Sequence, residues 1–156
     1  MAWTNSKIFR QYLADMIGNV AALDYDADTI KVALYNNSIT PDNDVTAANS
    51  AYNVGQWANT NEVSDGAEWA AGGVALASKT VSVAVADTVT VDAADTASGS
   101  SATLTSVYGC LVYDDTLTTP VADQGMSYHY LGGLQSVTDG TLTVIWHASG
   151  LQSYAL

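Results

Sequence analysis

Positive charge is scarce in this sequence. Only four of its 156 residues are Lys or Arg, against sixteen Asp or Glu, so the formal net charge is −12. From Thr80 to Leu156 there is no Lys or Arg at all. Proteins that bind nucleic acid need cations to displace the counterions on the phosphates, and binding to an anionic membrane surface has the same need. The composition therefore predicts neither a nucleic-acid partner nor a membrane partner.

Other features are missing as well. The single cysteine, Cys110, excludes an intramolecular disulfide. No apolar run approaches the 18 or so residues that a membrane-spanning helix needs, and no uninterrupted apolar stretch of the kind found in secretory signals follows Lys7 and Arg10. The sequence contains no Walker loop, no G-x-G-x-x-G and no G-x-S-x-G elbow. We therefore expect a non-enzymatic protein without a cofactor.

One clear helix is predicted, at residues 6–17. Its apolar residues fall on one stripe: Ile8, Phe9, Tyr12, Leu13, Met16 and Ile17. Asn5 or Ser6 could cap the start of this helix, and Gly18 stands where a helix commonly ends. Because Lys7 and Arg10 lie near the start, the charges oppose the helix dipole. The helix is therefore expected to depend on its packed face.

The rest of the chain has mostly the alternating pattern of strands. Examples are residues 30–35 and 81–85, and Gly132-Gly133 and Asp139-Gly140 are typical turn signals, the second typical of a hairpin. The run at 93–102, rich in Ala and Ser, is expected to be a flexible loop. We count eight or nine short strands. The prediction is a mainly β fold, an antiparallel β-sandwich or jelly-roll-like barrel with one short N-terminal α-helix.

A single domain is expected over residues 1–156, with two less regular segments. Residues 1–18 would form an N-terminal helix or arm. Residues 38–73 have weak periodicity and several glycines, and they are too many for a passive loop. They are predicted to form an irregular extended arm, or to wrap the body with Trp57 and Trp69 as anchors.

Three carboxylates, Asp24, Asp26 and Asp28, have the spacing D-x-D-x-D. A curled loop can bring such residues together on Ca²⁺. The EF-hand version of this motif also needs Gly at its sixth position and Glu at its twelfth, where this chain has Thr29 and Tyr35. The triplet is thus a weak calcium candidate, and the simpler interpretation is a solvated acidic turn that leads into a strand.

The remaining reactive side chains lack a recognisable catalytic pattern. Asp114 and Asp115 form a carboxylate pair that could share a proton, but such pairs more often form a turn at a strand end. His129 and His147 have no Cys or Glu cluster nearby that would complete a metal site. Cys110 is interpreted as a buried small hydrophobic residue.

The sequence is comparatively rich in large aromatics, with four Trp and nine Tyr. These could form platforms for sugars, or they could fill the core and protein interfaces. Only 13 % of the residues are charged, and Lys, the common guard of exposed strand edges, is absent from the C-terminal half. This surface favours a homo-oligomer or a place in a larger lattice.

The sequence resembles small β-rich virion structural proteins of tailed bacteriophages, in order along nearly the whole chain. The resemblance is carried by I-K-V-A-L-Y-N-N (30–37), A-Y-N-V-G-Q-W-A-N-T-N-E-V (51–63), E-W-A-A-G-G-V-A-L (68–76), V-Y-G-C-L-V-Y-D-D-T (107–116) and G-T-L-T-V-I-W-H-A-S-G (140–150). It implies a non-enzymatic head decoration or minor capsid protein. Tail and head–tail connector proteins use similar building blocks, so these remain alternatives, as does a carbohydrate-binding receptor module.

From the resemblance we expect a location on the capsid surface of the virion after assembly in the bacterial cytoplasm. The expected partners are the phage major capsid protein and other copies of this chain, with a trimer favoured. The predicted contact residues are four large aromatics outside the regular strands and one cation. They are Trp3, Phe9, Arg10, Trp57 and Trp69.

Overall fold

The computed structural model describes residues 3–84 and 87–155, and the fold is mainly β with antiparallel sheets. These residues form eleven strands and two α-helices, together with 3-10 turns at Gly55–Trp57 and Asn59–Asn61. The helices are α1 (Arg10–Ile17) and α2 (Ala47–Ser50). The strands are β1 (Lys7–Ile8), β2 (Ile30–Tyr35), β3 (Glu62–Val63), β4 (Val74–Ala75), β5 (Thr80–Ala84), β6 (Thr88–Asp92), β7 (Thr96–Ala97), β8 (Ala102–Asp114), β9 (Gly125–Gly140), β10 (Thr143–Val144) and β11 (Gln152–Ala155).

The main sheet has the order β1-β9-β8-β2-β3, and β4 pairs with β2 beside β3. Strand β2 lies in the middle because its sequence, I-K-V-A-L-Y, is apolar on both faces. It runs antiparallel to β8, from Ile30 opposite Asp114 to Tyr35 opposite Gly109. Every residue of β2 except Lys31 is buried, so this strand anchors the core.

Two smaller sheets complete the β-sandwich-like fold. One has the order β11-β6-β5 and the other pairs β10 with β7. In the three-stranded sheet, Val81 lies opposite Val91 and Val83 opposite Val89, so these valines share one face. A single hydrophobic core includes buried residues of all three sheets.

The centre of the core is a group of aromatic rings around Trp57. Four rings lie with their centroids 5.1–6.0 Å from that of Trp57, and they belong to Trp3, Phe9, Tyr35 and Tyr128. Trp3 Nε1 donates a hydrogen bond to the carbonyl of Asn36 at 2.8 Å, and the Tyr35 hydroxyl donates to the carbonyl of Trp57 at 2.7 Å. We call these five rings the aromatic core; it joins the N-terminal segment, β2, β9 and the 38–73 segment.

The N-terminal helix is shorter than the sequence pattern predicts. Instead of starting at residue 6, it begins at Arg10, because Lys7 and Ile8 pair with Tyr128 and Ser127 of β9. Neither predicted cap acts as one, since the cap residue is Phe9 with no side-chain hydrogen bond. Ser6 Oγ instead accepts from the Tyr130 N–H at 3.0 Å. The predicted end is confirmed: the Gly18 N–H donates to the carbonyl of Ala14.

Residues 38–73 wrap the body rather than project from it as an arm. They contain α2, both 3-10 turns and β3, and their Trp57 and Trp69 are buried. The run at 93–102, predicted to be a flexible loop, also contributes structure, since Thr96 and Ala97 form β7. Within the described residues, none of the helices has both the length and the apolar character needed to cross a bilayer.

We predict that Trp57→Ala lowers the free energy of unfolding by about 3–5 kcal/mol, because it removes the ring that the other four contact. Trp57→Phe should cost much less, since the Trp57 indole N–H has no hydrogen-bond partner to lose. Urea denaturation followed by circular dichroism measures both. The neighbouring Val54→Ala, at a half-exposed position, is the control. Equal losses for the alanine variants at 54 and 57 would contradict the central role of Trp57.

Candidate functional site

An apolar groove lies between α1 and the three-stranded sheet. Its volume is about 540 Å³. Its walls include Tyr12, Met16 and Ile17 from the helix and Val81, Val89 and Tyr154 from the sheet. Ile17 on this wall is 76 % exposed, and the apolar surface continues outside the groove at Val83, which is 85 % exposed. Exposed apolar surface of this kind is typical of protein contact sites.

Strand β5 forms one side of this groove and is also an edge of its sheet. Within the described residues it pairs only with β6, and the side chains from Thr80 to Val83 are exposed. Its sequence, T-V-S-V-A, has no charge and no proline, the features that usually protect an edge from pairing with another chain. We call this surface the β5 edge. The alternation of Val with Ser and Thr was visible in the sequence, but it predicted only a strand and not a contact surface.

The aromatic residues predicted to contact other subunits lie inside the protein. Trp3, Phe9 and Trp57 belong to the aromatic core, and Trp69 is equally buried. Their rings have no exposed surface to present to a second subunit, so we assign them to the core of the monomer instead. Arg10 is different, because its side chain is exposed and forms a salt bridge with Asp44 at 3.0 Å.

The acidic triplet forms a hydrogen-bonded turn. Asp24 Oδ1 accepts from the Ala27 N–H at 3.2 Å, and Asp28 Oδ2 accepts from the Asp24 N–H at 2.7 Å. The side chain of Asp26 is exposed. Among the residues that the structure describes, no group of three or more His, Cys, Asp or Glu is arranged to hold a metal ion. Asp24, Asp26 and Asp28 therefore form an acidic turn that leads into β2, which is the simpler of the two interpretations of this motif.

The two carboxylates at the end of β8, Asp114 and Asp115, lie in different environments. Asp115 forms a salt bridge with Lys31 at 2.8 Å. Asp114 is fully buried, and its Oδ1 accepts from the Thr116 N–H at 2.8 Å and the Leu117 N–H at 3.0 Å. Burial raises the pKa of Asp114 to about 6, and the negative charge of Asp28 adds to this rise against the lowering by the two N–H groups. The pair thus closes the turn after β8.

The two histidines and the cysteine also differ in their surroundings. Cys110 is fully buried, and burial raises the pKa of its thiol to about 12. His129 is half-buried with its Nε2 2.9 Å from Ser127 Oγ, and burial lowers the pKa of its imidazole to about 4. His147 is exposed, and its Nδ1 accepts from the Ser149 N–H at 3.1 Å. The sequence did not indicate that both histidines line one cavity.

We predict that Asp114→Asn stabilises the protein at pH 8 by on the order of 2 kcal/mol. A folded-state pKa above that of the unfolded chain means that stability falls as pH rises from about 4 to about 6, and the penalty persists above that range. Asn keeps the acceptor at Oδ1 and never carries the charge. Denaturant titrations at pH 4 and pH 8 should therefore show a gain at pH 8 that disappears at pH 4.

The matched control is Asp115→Asn, which should have the opposite sign. It removes the partner of Lys31, so stability at pH 8 should fall by up to about 1 kcal/mol, as for a partly exposed pair. If Asp114→Asn instead destabilises at pH 8, the charged form of Asp114 is supported by its hydrogen bonds more than it is penalised by burial.

No family model matches this chain, and no curated protein or solved structure matches it either.

Proposed function

We propose that this chain is a non-enzymatic structural protein of a tailed-bacteriophage particle. Its role would be that of a head decoration or minor capsid protein, which binds the assembled shell as a homo-oligomer, with a trimer favoured. The partners would be the major capsid protein and other copies of the chain, on the capsid surface of virions assembled in the bacterial cytoplasm. The observation that carries this proposal is the uncharged β5 edge beside an apolar groove.

The β5 edge supports a protein partner for an energetic reason. An unpaired strand edge offers main-chain N–H and C=O groups to a strand of another subunit. Burial of apolar area, such as that of Val83 and Ile17, contributes about 25 cal/mol per Å². Strand β5 itself carries no charge, so in a chain with net charge −12 it adds no repulsion of its own when two acidic bodies meet there, and the carboxylates beside it are Asp24 and Asp26 of the groove. Such a surface suits assembly onto a particle.

The reactive side chains favour a structural role over catalysis. Cys110 and Asp114 are buried within the fold, and the Asp24–Asp28 turn is closed by its own hydrogen bonds. Lys31 and Arg10 are paired with carboxylates. An acidic body with few free cations suits the outer surface of a head filled with DNA, because it does not attract the genome.

A decoration protein acts through many weak contacts at once. Each copy that bridges neighbouring capsid subunits binds only the closed shell, so it raises the free energy needed to open that shell. An oligomer engages several capsid subunits together, and its effective affinity exceeds that of one contact.

Immuno-electron microscopy of intact phage particles with antibody to this chain tests the location. Label over the head surface is the expected result. Label confined to the tail or to the head–tail junction would contradict the decoration role and favour the tail or connector alternative. Absence of label from purified particles, with the chain present in the lysate, would contradict a virion role altogether.

We predict that Val83→Asp weakens self-association and binding to particles at least tenfold, because it places a charge in the proposed contact surface. The residue is 85 % exposed, so the monomer should still fold. Leu134→Asp makes the same change at another exposed position, on β9, and should leave both properties unchanged. Analytical ultracentrifugation and co-sedimentation with undecorated heads measure the effect. Equal effects of the two variants would rule out the β5 edge.

A further inference from the structure

A second cavity, of about 480 Å³, lies beside β1 and β9 and below the segment that joins β10 to β11. Its lining includes Lys7, His129, His147 and Gln152. The chain has sixteen acidic residues, yet no Asp or Glu is among the described residues that line this cavity. The cavity therefore contains both histidines and a lysine in a protein that is otherwise strongly acidic.

A directed chain of hydrogen bonds ends at this cavity. The Tyr154 hydroxyl donates to Gln152 Oε1 at 2.6 Å, and Gln152 Nε2 donates to Ser127 Oγ at 2.9 Å. Ser127 is fully buried, so its own hydroxyl hydrogen goes to His129 Nε2, 2.9 Å away. The neutral imidazole of His129 then carries its proton on Nδ1. With this tautomer, the second ring nitrogen of His129, a residue of the cavity lining, is a hydrogen-bond donor.

His147 is a donor for a similar reason. Its Nδ1 accepts from the Ser149 N–H, so the neutral ring carries its proton on Nε2. The carboxylate near this wall belongs to Asp95, whose Oδ1 accepts from the Trp146 N–H at 3.0 Å, and Asp95 does not line the cavity. The hydrogen-bonding groups of the two imidazoles therefore favour a ligand that accepts hydrogen bonds.

Lys7 adds a positive charge to these donors. The other three cations are each bound to a partner: Arg10 to Asp44, Lys31 to Asp115, and Lys79 to the carbonyl oxygen of Asp28. Lys7 forms no salt bridge within the described part of the chain. Asp95 lies behind the backbone of Trp146, but no acidic residue is among the described residues that line the cavity. A bound anion would therefore contact Lys7 and the imidazoles rather than a carboxylate.

The other residues that line the cavity, together with its volume, indicate the size and the apolar character of the ligand. Ile145 is 73 % exposed, and the rings of Tyr130 and Trp146 also line the cavity. Apolar and aromatic walls beside a few oriented polar groups, in a volume of several hundred Å³, are typical of sites for small organic ligands. Single carboxylates or phosphates would leave most of this volume empty. Sugar rings offer both C–H faces for the apolar wall and hydroxyls for Ser6 and Ser153, whose side chains are exposed.

We propose that this cavity binds a saccharide that carries a carboxylate, such as a uronic acid. Lys7 and His147 engage the carboxylate, His129 donates to a ring substituent or hydroxyl, and Ile145 packs against the sugar ring. This site is separate from the β5 edge and does not depend on the role proposed for that edge. It would give a virion protein a second partner, an acidic polysaccharide.

Titration of the ¹⁵N-labelled protein at pH 7 with glucuronate and galacturonate, followed by NMR, tests the proposal. Glucose and galactose are the neutral counterparts, and acetate is the bare carboxylate. We expect a uronate to shift the indole Nε1–H signal of Trp146, which Trp146→Phe identifies, while the neutral sugars do not. Trp3, Trp57 and Trp69 do not line this cavity, so their indole signals serve as internal controls.

Lys7→Gln should weaken uronate binding roughly tenfold or more, because it removes a charge-assisted hydrogen bond, and Lys7→Arg should retain most of it. The matched control is Arg10→Gln, which removes a nearby cation outside the cavity and should leave binding unchanged. The proposal is overturned if no uronate binds, if neutral sugars or acetate bind as tightly, or if Lys7→Gln has no more effect than Arg10→Gln. Head binding of Lys7→Gln, measured in parallel, should equal that of the unmodified protein.

Discussion

The close packing of rings on Trp57 is the constraint on which the rest of the molecule depends. This indole contacts rings from the N-terminal segment, from β2 and from β9, so it joins parts of the chain that are far apart in sequence. The fit leaves no spare volume. A Cβ at Gly109 would lie only 2.3 Å from the ring of Trp3, so β8 needs glycine at the point where the N-terminal tryptophan crosses it.

Local signals in the sequence were enough for some elements and not for others. The apolar run of β2 and the helix end at Gly18 were predictable, because each depends on residues within one segment. The start of α1 was not, since Lys7 and Ile8 pair with residues about 120 positions away. Gly132-Gly133 resembled a turn but lies inside β9, where both glycines have positive φ and the register with β8 shifts between Val107 and Gly109. A bulge and a turn both require residues with positive φ, so a pair of glycines in the sequence does not distinguish them.

The candidate sites were hard to predict for a related reason. The sequence pattern alone predicts that large aromatics outside regular strands lie at the surface, but Trp57 and Trp69 are the anchors that hold an irregular segment onto the core. The exposed apolar surface is instead formed by smaller residues such as Val83. Val83 is exposed because β5 is the edge strand of its sheet. Similarly, His129 and His147 gain significance only because the fold places them on one cavity with Lys7. Edge positions and shared cavities are properties of topology, which single-sequence patterns do not encode.

The composition of the aromatic core also governs when the protein can fold. The rings of Trp3 and Tyr128 lie 6.1 Å apart, although the two residues are separated by 125 positions along the chain. The core therefore cannot close until every residue from Trp3 to Tyr128 has been synthesised, and until then several large rings stay exposed to solvent. Antiparallel folds with such long-range contacts fold slowly, and exposed apolar segments promote aggregation meanwhile. High-level production in a host cell should therefore be limited by chaperone capacity during synthesis rather than by the stability of the finished fold.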